Sequence, residues 1–176
     1  MGLKEERYSI MFSSLTGNTK MLADAIREAL PKESCDYFGS CKEKEPVSEM
    51  LYIGFWTDKG NADSTALELL KSLRGKKIFL FGTAGFGVDE GYFRKILKNI
   101  RESIDPSNEI VGEYKCQGKM PQSVRDRYVK MKEQPDHKPN VNLLIENFDH
   151  ALSHPDENDL EKLKKIVTEK LQNEKK

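Results

Sequence analysis

The chain has 176 residues and carries 29 Lys plus Arg against 29 Asp plus Glu, so its formal net charge is zero. A balanced chain has no overall field that draws it to nucleic acid or to an acidic membrane, and we expect neither as a partner. Its apolar fraction of 37% suffices for the core of one domain. Cys35, Cys41 and Cys116 form no CxxC pair, which favours free thiols, a reducing compartment and no bound metal.

The amino-terminal segment is charged. Lys4, Glu5, Glu6 and Arg7 leave no room for the apolar region of a secretory signal peptide. No apolar run in the chain approaches the length that crosses a bilayer. We therefore expect a cytoplasmic protein.

The chain begins with the pattern of a strand, a loop and a helix. Ser9–Phe12 continues an apolar run that starts at Tyr8, and a polar cluster from Ser13 to Thr19 closes it. Up to Pro31, apolar residues then recur at helical spacing, at Met21, Leu22, Ala25, Ile26, Ala29 and Leu30.

This pattern repeats along the chain. Asp63 is placed to cap a second helix that Gly75 ends, and an apolar stripe from Tyr92 to Ile100 predicts a third. Strands alternating with amphipathic helices predict a parallel sheet covered on both faces, which is the α/β class. Polar helices follow Cys116. The four further strands are predicted at Cys35–Phe38, which is the weakest, Met50–Trp56, Ile78–Phe81 and Ile110–Cys116.

The loop after the first strand has the composition of a phosphate site. It leads into a helix N-terminus, where unpaired backbone N–H groups and the positive dipole end favour an anion. Hydroxyls at Ser14, Thr16 and Thr19 and the amide of Asn18 can add hydrogen bonds, and Gly17 lets the backbone curl. The loop contains neither the Gly-x-x-x-x-Gly-Lys-Ser/Thr motif that binds nucleoside triphosphates nor the Gly-x-Gly-x-x-Gly motif that binds dinucleotides. A monoester dianion held by neutral donors fits best.

The segment Ser14–Thr19 matches in full the pattern Ser/Thr-x-Thr-Gly-Asn-Thr, and the chain resembles the flavodoxin family in it. The same residue types also serve as helix caps and turn formers. The resemblance implies a flavodoxin-like three-layer sandwich with a five-stranded parallel sheet of order 2-1-3-4-5 and extra C-terminal helices. It implies FMN as the cofactor, with the 5′-phosphate bound by Ser13, Ser14, Leu15, Thr16, Gly17, Asn18 and Thr19, Leu15 contributing only backbone.

By this resemblance, residues 1–155 are the FMN-binding domain and residues 156–176 a C-terminal helical extension, packed on the domain or trailing from it. The loops after strands three and four would then contact the isoalloxazine ring. Trp56 and Phe86 are the candidates for stacking on the ring. Packing in the hydrophobic core is the alternative role for Trp56 and also for Tyr92. The proposed ring contacts are Trp56, Thr57, Asp58, Lys59 and Gly60 in the first loop and Thr83, Ala84, Gly85, Phe86, Gly87 and Tyr92 in the second.

Two features depart from a typical flavodoxin. Lys59 places a cation in a ring-contacting loop, where it would stabilise the anionic reduced flavin unless it points to solvent. After Cys116, the basic residues Lys119, Arg125 and Arg127 suit a carboxylate or a partner's acidic patch, although a solvated helix face explains them as well. The overall pattern also resembles small flavodoxin-like proteins encoded with bacterial bilirubin reductases.

The function expected first is that of an electron carrier, in which FMN passes electrons to a redox partner protein or to a small-molecule acceptor. An alternative is an FMN-dependent reductase, or a component of one, acting on a quinone or on a tetrapyrrole such as bilirubin. A third is a non-redox binding module that keeps the phosphate loop. No side chain is assigned a catalytic role, and His137, His150 and His154 read as surface residues.

Overall fold

The computed structural model describes residues 6–42, 44–86, 90–136 and 139–174. The strands in these ranges are β1 (Tyr8–Phe12), β2 (Cys35–Ser40), β3 (Met50–Asp58), β4 (Asn61–Ala62), β5 (Lys77–Ala84) and β6 (Glu109–Gln117). The helices are α1 (Asn18–Ala29), α2 (Ser64–Ser72), α3 (Glu90–Glu102), α4 (Gln122–Lys132), α5 (Val141–Ala151) and α6 (Glu157–Glu174), with a short 3-10 turn at Lys32–Ser34.

The five long strands form one parallel sheet in the order β2-β1-β3-β5-β6. Counted along the chain, these are strands 2-1-3-4-5, so the predicted α/β class and strand order are confirmed. The order reverses at β1 and β3, and ligands of such sheets bind outside the carboxyl ends of the strands at that point.

Both faces of the sheet are buried, which explains the continuous apolar runs. Along β3, Met50 and Tyr52 join the core under α1, whereas Leu51 and Ile53 join the core under α2 and α3. Neighbouring residues of a strand point to opposite faces, so each apolar run fills two cores. The result is the predicted three-layer sandwich.

The carboxyl-terminal helices divide into two groups. In α6, Leu163 and Val167 are fully buried against α1 and the first face of the sheet. Helices α4 and α5 are inserted between β6 and α6, and α5 buries Val141, Phe148 and Ala151. Helix α4 contacts α5 and has no buried residue. Thus α6 covers one face of the sheet next to α1, whereas α4 and α5 pack against each other.

Helix α2 begins as the sequence predicts, because the Asp63 carboxylate accepts a hydrogen bond of 3.2 Å from the backbone N–H of Ala66. The segment before it differs from the prediction. Residues expected to form a loop after β3 instead form a hairpin, in which Thr57 and Asp58 pair with β4. Among the described residues, no helix combines the length and the apolar composition that spanning a bilayer requires.

Candidate functional site

Three loops meet at the carboxyl ends of β1, β3 and β5. The backbone N–H of Ser13 donates to the Gly54 carbonyl at 3.0 Å, which ties the first loop to β3. Trp56 lies opposite Thr83 in the β3–β5 register, and the Thr57 hydroxyl donates to the Thr83 carbonyl at 2.9 Å. The predicted loops are therefore neighbours.

The loop between β1 and α1 leaves the start of α1 open to an anion. Gly17 stands at the cap position with φ of 89° and has no side chain to cap the helix, and the first turn contains no acidic residue. The Ser14 hydroxyl oxygen accepts hydrogen bonds from the backbone N–H groups of Gly17 at 3.1 Å and Lys20 at 3.4 Å. Backbone donors therefore converge beside a positive dipole end.

The side chains of this loop divide between solvent and core. Leu15 is 65% exposed, and Ser13, Ser14 and Thr16 are half-buried. Thr19 is fully buried, and its hydroxyl donates to the Phe55 carbonyl at 3.0 Å. The expectation that this hydroxyl binds phosphate therefore needs correction. Thr19 shares the buried face of α1 with Leu22 and Ile26, so its hydroxyl is directed into the core.

Asn18 carries a buried polar atom that lacks a partner. Its side chain is 6% exposed, and its Nδ2 donates to the Lys119 carbonyl at 2.8 Å. Within the described residues, its Oδ1 receives no hydrogen bond. Such an oxygen costs about 1–3 kcal/mol unless a donor reaches it. A ligand hydroxyl or N–H group would supply that donor.

A cavity of about 590 Å³ opens beside the phosphate loop. Sequence reasoning placed only Ser13, Ser14 and Gly17 of its lining in the site and missed the other five residues, Phe12, Lys20, Ser40, Lys42 and Thr65. The predicted order already places the end of β2 beside β1, so inspecting that end would have found Ser40 and Lys42. The full lining is Phe12, Ser13, Ser14, Gly17, Lys20, Ser40, Lys42 and Thr65.

The second loop is the β3–β4 hairpin. Lys59 and Gly60 form its turn with φ of 51° and 79°, the left-handed conformation of a two-residue hairpin turn. Asp58 and Lys59 are exposed, and Trp56 is half-buried. The Asn99 amide of α3 donates to the Gly60 carbonyl at 2.9 Å, so this hairpin is joined to helix α3.

The third loop follows β5. Thr83 and Ala84 are buried, whereas Phe86 is 45% exposed. The Phe86 ring meets the Tyr92 ring edge to face, with centroids 5.7 Å apart. Tyr92 is half-buried, and burial raises the pKa of its hydroxyl. Gly87 lies outside the described residues.

Gly85 is held by groups that sequence reasoning did not assign to the site. Its carbonyl accepts hydrogen bonds from Gln117 Nε2 at 3.0 Å and from Asn147 Nδ2 at 2.9 Å. A Cβ at Gly85 would lie 2.5 Å from the Met120 sulfur. The end of β6 and the inserted helix α5 thus fix this loop.

Comparison with known proteins agrees with this geometry. The family described as Flavodoxin domain matches residues 9–168. The chain belongs to the flavodoxin family. A flavodoxin-like domain-containing protein BilS from Clostridium symbiosum (strain WAL-14163) is 40% identical over 172 residues, covering 88% of this chain and 90% of that protein. The BilS protein from Clostridioides difficile (strain CD3) is 32% identical over 164 residues, covering 86% and 88%.

Solved structures show the same flavodoxin fold at low sequence identity. Oxidised Flavodoxin 2 from Bacillus cereus superposes with a TM-score of 0.57 at 15% identity, covering 96% of this chain and 99% of that one. A short-chain flavodoxin associated with a non-canonical PDU bacterial microcompartment has a TM-score of 0.55 at 15% identity, covering 96% and 98%.

FMN is the cofactor that membership of the flavodoxin family implies, and the residues present fit it. The open start of α1 and the Ser14 hydroxyl suit the phosphate. The unpartnered Asn18 Oδ1 suits a hydroxyl of the ribityl chain. The half-buried Trp56 and the exposed Phe86 stand in the two loops that would flank the ring.

Proposed function

We propose that this flavodoxin-family chain binds FMN non-covalently and carries electrons to a redox partner protein in the cytoplasm. The observation that supports this most is the start of α1, which lies where the strand order reverses and has a serine hydroxyl and no carboxylate beside its N–H groups. The buried Asn18 Oδ1 next to it receives no hydrogen bond within the described residues. The phosphate would bind at this helix start, and the ring would lie between the β3–β4 hairpin and the Gly85–Phe86 segment.

The bound FMN would supply the electron chemistry, and the protein's tasks are binding and orientation. The Ser14 hydroxyl and the backbone N–H groups at the start of α1 would hold the anion, and the N–H groups of Gly17 and Lys20 keep the Ser14 oxygen in place. Asn99 and the Gln117–Asn147 pair fix the two loops that orient the ring. Loops fixed in this way would hold the ring in one position, on which electron transfer to a partner would depend.

Exposed apolar side chains favour a protein partner. Leu15 lies in the phosphate loop and Phe86 in one of the two loops proposed to flank the ring, and they are 65% and 45% exposed. Apolar groups within a polar surround are typical of protein contact sites. Of the predicted basic residues, Arg125 is already paired with Asp149 at 2.9 Å, whereas Lys119 and Arg127 are exposed for an acidic patch of the partner.

Cofactor uptake tests this function directly. The purified protein is stripped of flavin and titrated with FMN while visible absorbance and flavin fluorescence are followed. We expect one FMN per chain and reversible reduction of the complex by a chemical reductant. A chain that takes up no FMN would instead be the non-redox binding module.

The two BilS relatives and the resemblance to proteins encoded with bilirubin reductases favour a second candidate, a reductase or a component of one. Its acceptor would be a quinone or a tetrapyrrole such as bilirubin. Steady-state oxidation of NADH or NADPH by the FMN-loaded protein, with and without these acceptors, separates the candidates. A carrier, like a component of a larger reductase, shows no turnover until a partner protein is added, whereas a complete reductase turns over alone.

A further inference from the structure

The cavity beside the phosphate loop is cationic as well as rich in hydroxyl groups. Lys20 reaches it from the first turn of α1, and Lys42 reaches it from the segment after β2. Among the described residues that line the cavity, none is acidic. The sequence indicated a loop of neutral donors, but the fold adds two lysines to the lining of the cavity beside it.

Backbone hydrogen bonds hold Lys42 at this place. The N–H of Cys41 donates to the Phe12 carbonyl at 3.1 Å, so the chain after β2 is joined to the end of β1. The N–H of Lys42 donates to the Ser40 hydroxyl oxygen at 3.1 Å. Because the backbone N–H groups of Cys41 and Lys42 are both bonded, the lysine side chain starts from an anchored position at the cavity rim.

The two lysines differ in their neighbours. Lys20 forms an ion pair with Asp24 one turn along α1, at 3.0 Å. In the described part of the chain, no acidic group lies within ion-pair distance of Lys42. Glu45 and Glu68 line the adjacent cavity, which shares Lys42 and Thr65 with the first. Lys42 is therefore the charge with the most to gain from an anionic ligand.

We propose that Lys42, supported by Lys20, neutralises the phosphate of bound FMN and makes the chain select FMN over riboflavin by charge. This inference rests on the proposed function, since it requires the phosphate to bind at the start of α1. A phosphate monoester carries up to two negative charges near neutral pH, and the partial positive charge of a helix start, about half an elementary charge, compensates only part of them. A lysine contributes as a point charge and needs no fixed geometry.

Paired titrations of the flavin-free protein test the inference. FMN and riboflavin are titrated separately into wild type, Lys42→Met and Lys44→Met, with flavin fluorescence as the readout. Lys44 is the matched control, because it lines only the adjacent cavity and its ammonium group lies 5.5 Å from the centroid of the Tyr37 ring. Circular dichroism and the thermal midpoint establish that each variant is folded.

We expect Lys42→Met to weaken FMN binding about tenfold, since a charge-assisted contact is lost at a solvent-screened site. Riboflavin binding should stay unchanged, as should both affinities of Lys44→Met. Lys42→Arg should retain FMN affinity because it keeps the charge. Added salt should weaken FMN binding to wild type more than to Lys42→Met.

A third titration, of riboflavin in the presence of inorganic phosphate, asks whether the site needs a phosphate that is attached to the flavin or also accepts a free anion. We expect phosphate to bind without raising riboflavin affinity. Equal losses of FMN and riboflavin affinity in Lys42→Met would overturn the inference, as would no loss of either. In both cases wild type still binds FMN, so the proposed function stands. If wild type binds neither flavin, the proposed function fails, and this inference fails with it.

Discussion

Asn147 on the inserted helix α5 donates a hydrogen bond of 2.9 Å to the carbonyl of Gly85 in the loop after β5. Gln117 donates to the same carbonyl and also to Asn147 Oδ1, at 3.0 Å each. His150 Nδ1 lies 2.9 Å from Gln117 Oε1, which completes the partners of that amide. These side chains from β6 and α5 thus form one connected network behind a proposed ring contact.

Replacing Asn147 by leucine should therefore affect both stability and cofactor binding. The change leaves a buried amide of Gln117 with one partner fewer, which costs about 1–3 kcal/mol in the free energy of unfolding. Denaturant titration measures this loss. Because the Gly85 loop is also loosened, FMN affinity should fall as well, measured by fluorescence titration.

The matched control for this variant is Asn142→Leu, which makes the same change at an exposed position of the same helix. Its unfolding free energy should stay within about 0.5 kcal/mol of wild type. Equal effects of the two leucine substitutions would contradict the role given to the Asn147 amide.

The architecture was predictable from local patterns, but this network was not. Apolar runs such as Met50–Trp56 and the cap at Asp63 report on their own elements, so the strands, helices and sheet order follow from them. Gln117 ends β6 and Asn147 lies on α5, and nothing in the local spacing of either residue links it to Gly85. Contacts of this kind depend on how α5 docks.

For two other features that the sequence prediction missed, the sequence does contain an indication. Thr19 stands on the same helical face as Leu22, Ala23 and Ile26, so periodicity alone predicts that its hydroxyl faces the core. The β3–β4 hairpin had a weaker signal, because only two residues on each side pair across the Lys59–Gly60 turn. Apolar patterning does not identify a ladder this short.

Gly17 offers a test of the phosphate loop that separates strain from binding. Its φ of 89° suits glycine, and a Cβ there would meet no atom within 4 Å. Gly17→Ala should therefore cost about 1–2 kcal/mol of folding free energy through backbone strain alone. It should also weaken FMN binding, since the altered backbone displaces the N–H groups at the start of α1.

Gly75 is the matched control, because it has φ of 65° and likewise meets no atom with an added Cβ. It lies between α2 and β5 at the amino end of β5, whereas the phosphate loop lies at the carboxyl ends of the strands. Gly75→Ala should show a similar loss of stability with unchanged FMN affinity. Denaturant unfolding and fluorescence titration provide the two values. Unchanged FMN binding by Gly17→Ala would argue against a phosphate at this loop.

The hydrogen bonds at the start of α6 should make the stability of the protein fall in acid. The Asp156 carboxylate accepts a hydrogen bond of 2.8 Å from the Asp159 N–H, and the Asp159 carboxylate accepts one of 2.9 Å from the Asp156 N–H. His154 Nδ1 lies 2.7 Å from Asp159 Oδ2. Although these three side chains stand close enough to share a cation, the reciprocal capping bonds account for both carboxylates.

The hydrogen bond from the Asp159 N–H holds the pKa of Asp156 below its usual value. A depressed pKa means that the folded state prefers the ionised carboxylate, so this stabilisation is present above the unfolded-state pKa and is lost as pH falls through the folded-state value. Asp156→Asn should lower the thermal midpoint at neutral pH, and the difference should shrink below about pH 4. Glu146→Gln, exposed on α5, should show no such difference at either pH.

The charge of Lys59 should affect the redox potential of the bound FMN. It is exposed in the turn of the hairpin proposed to contact the ring, where a positive charge stabilises the anionic reduced cofactor relative to the oxidised one. Lys59→Gln should therefore make the potential of the bound FMN more negative. An exposed charge interaction of about 0.2–1 kcal/mol corresponds to about 5 to 20 mV for a two-electron couple.

Potentiometric titration of the FMN-loaded protein at low and high salt measures this shift. Screening should reduce it at high salt, because Lys59 is exposed. Lys71→Gln is the control, since Lys71 is also exposed but lies in the last turn of α2, away from the three loops. Its potential should match wild type. If the two variants shift equally, or if Lys59→Gln does not shift at all, the Lys59 side chain acts only as a solvated surface group.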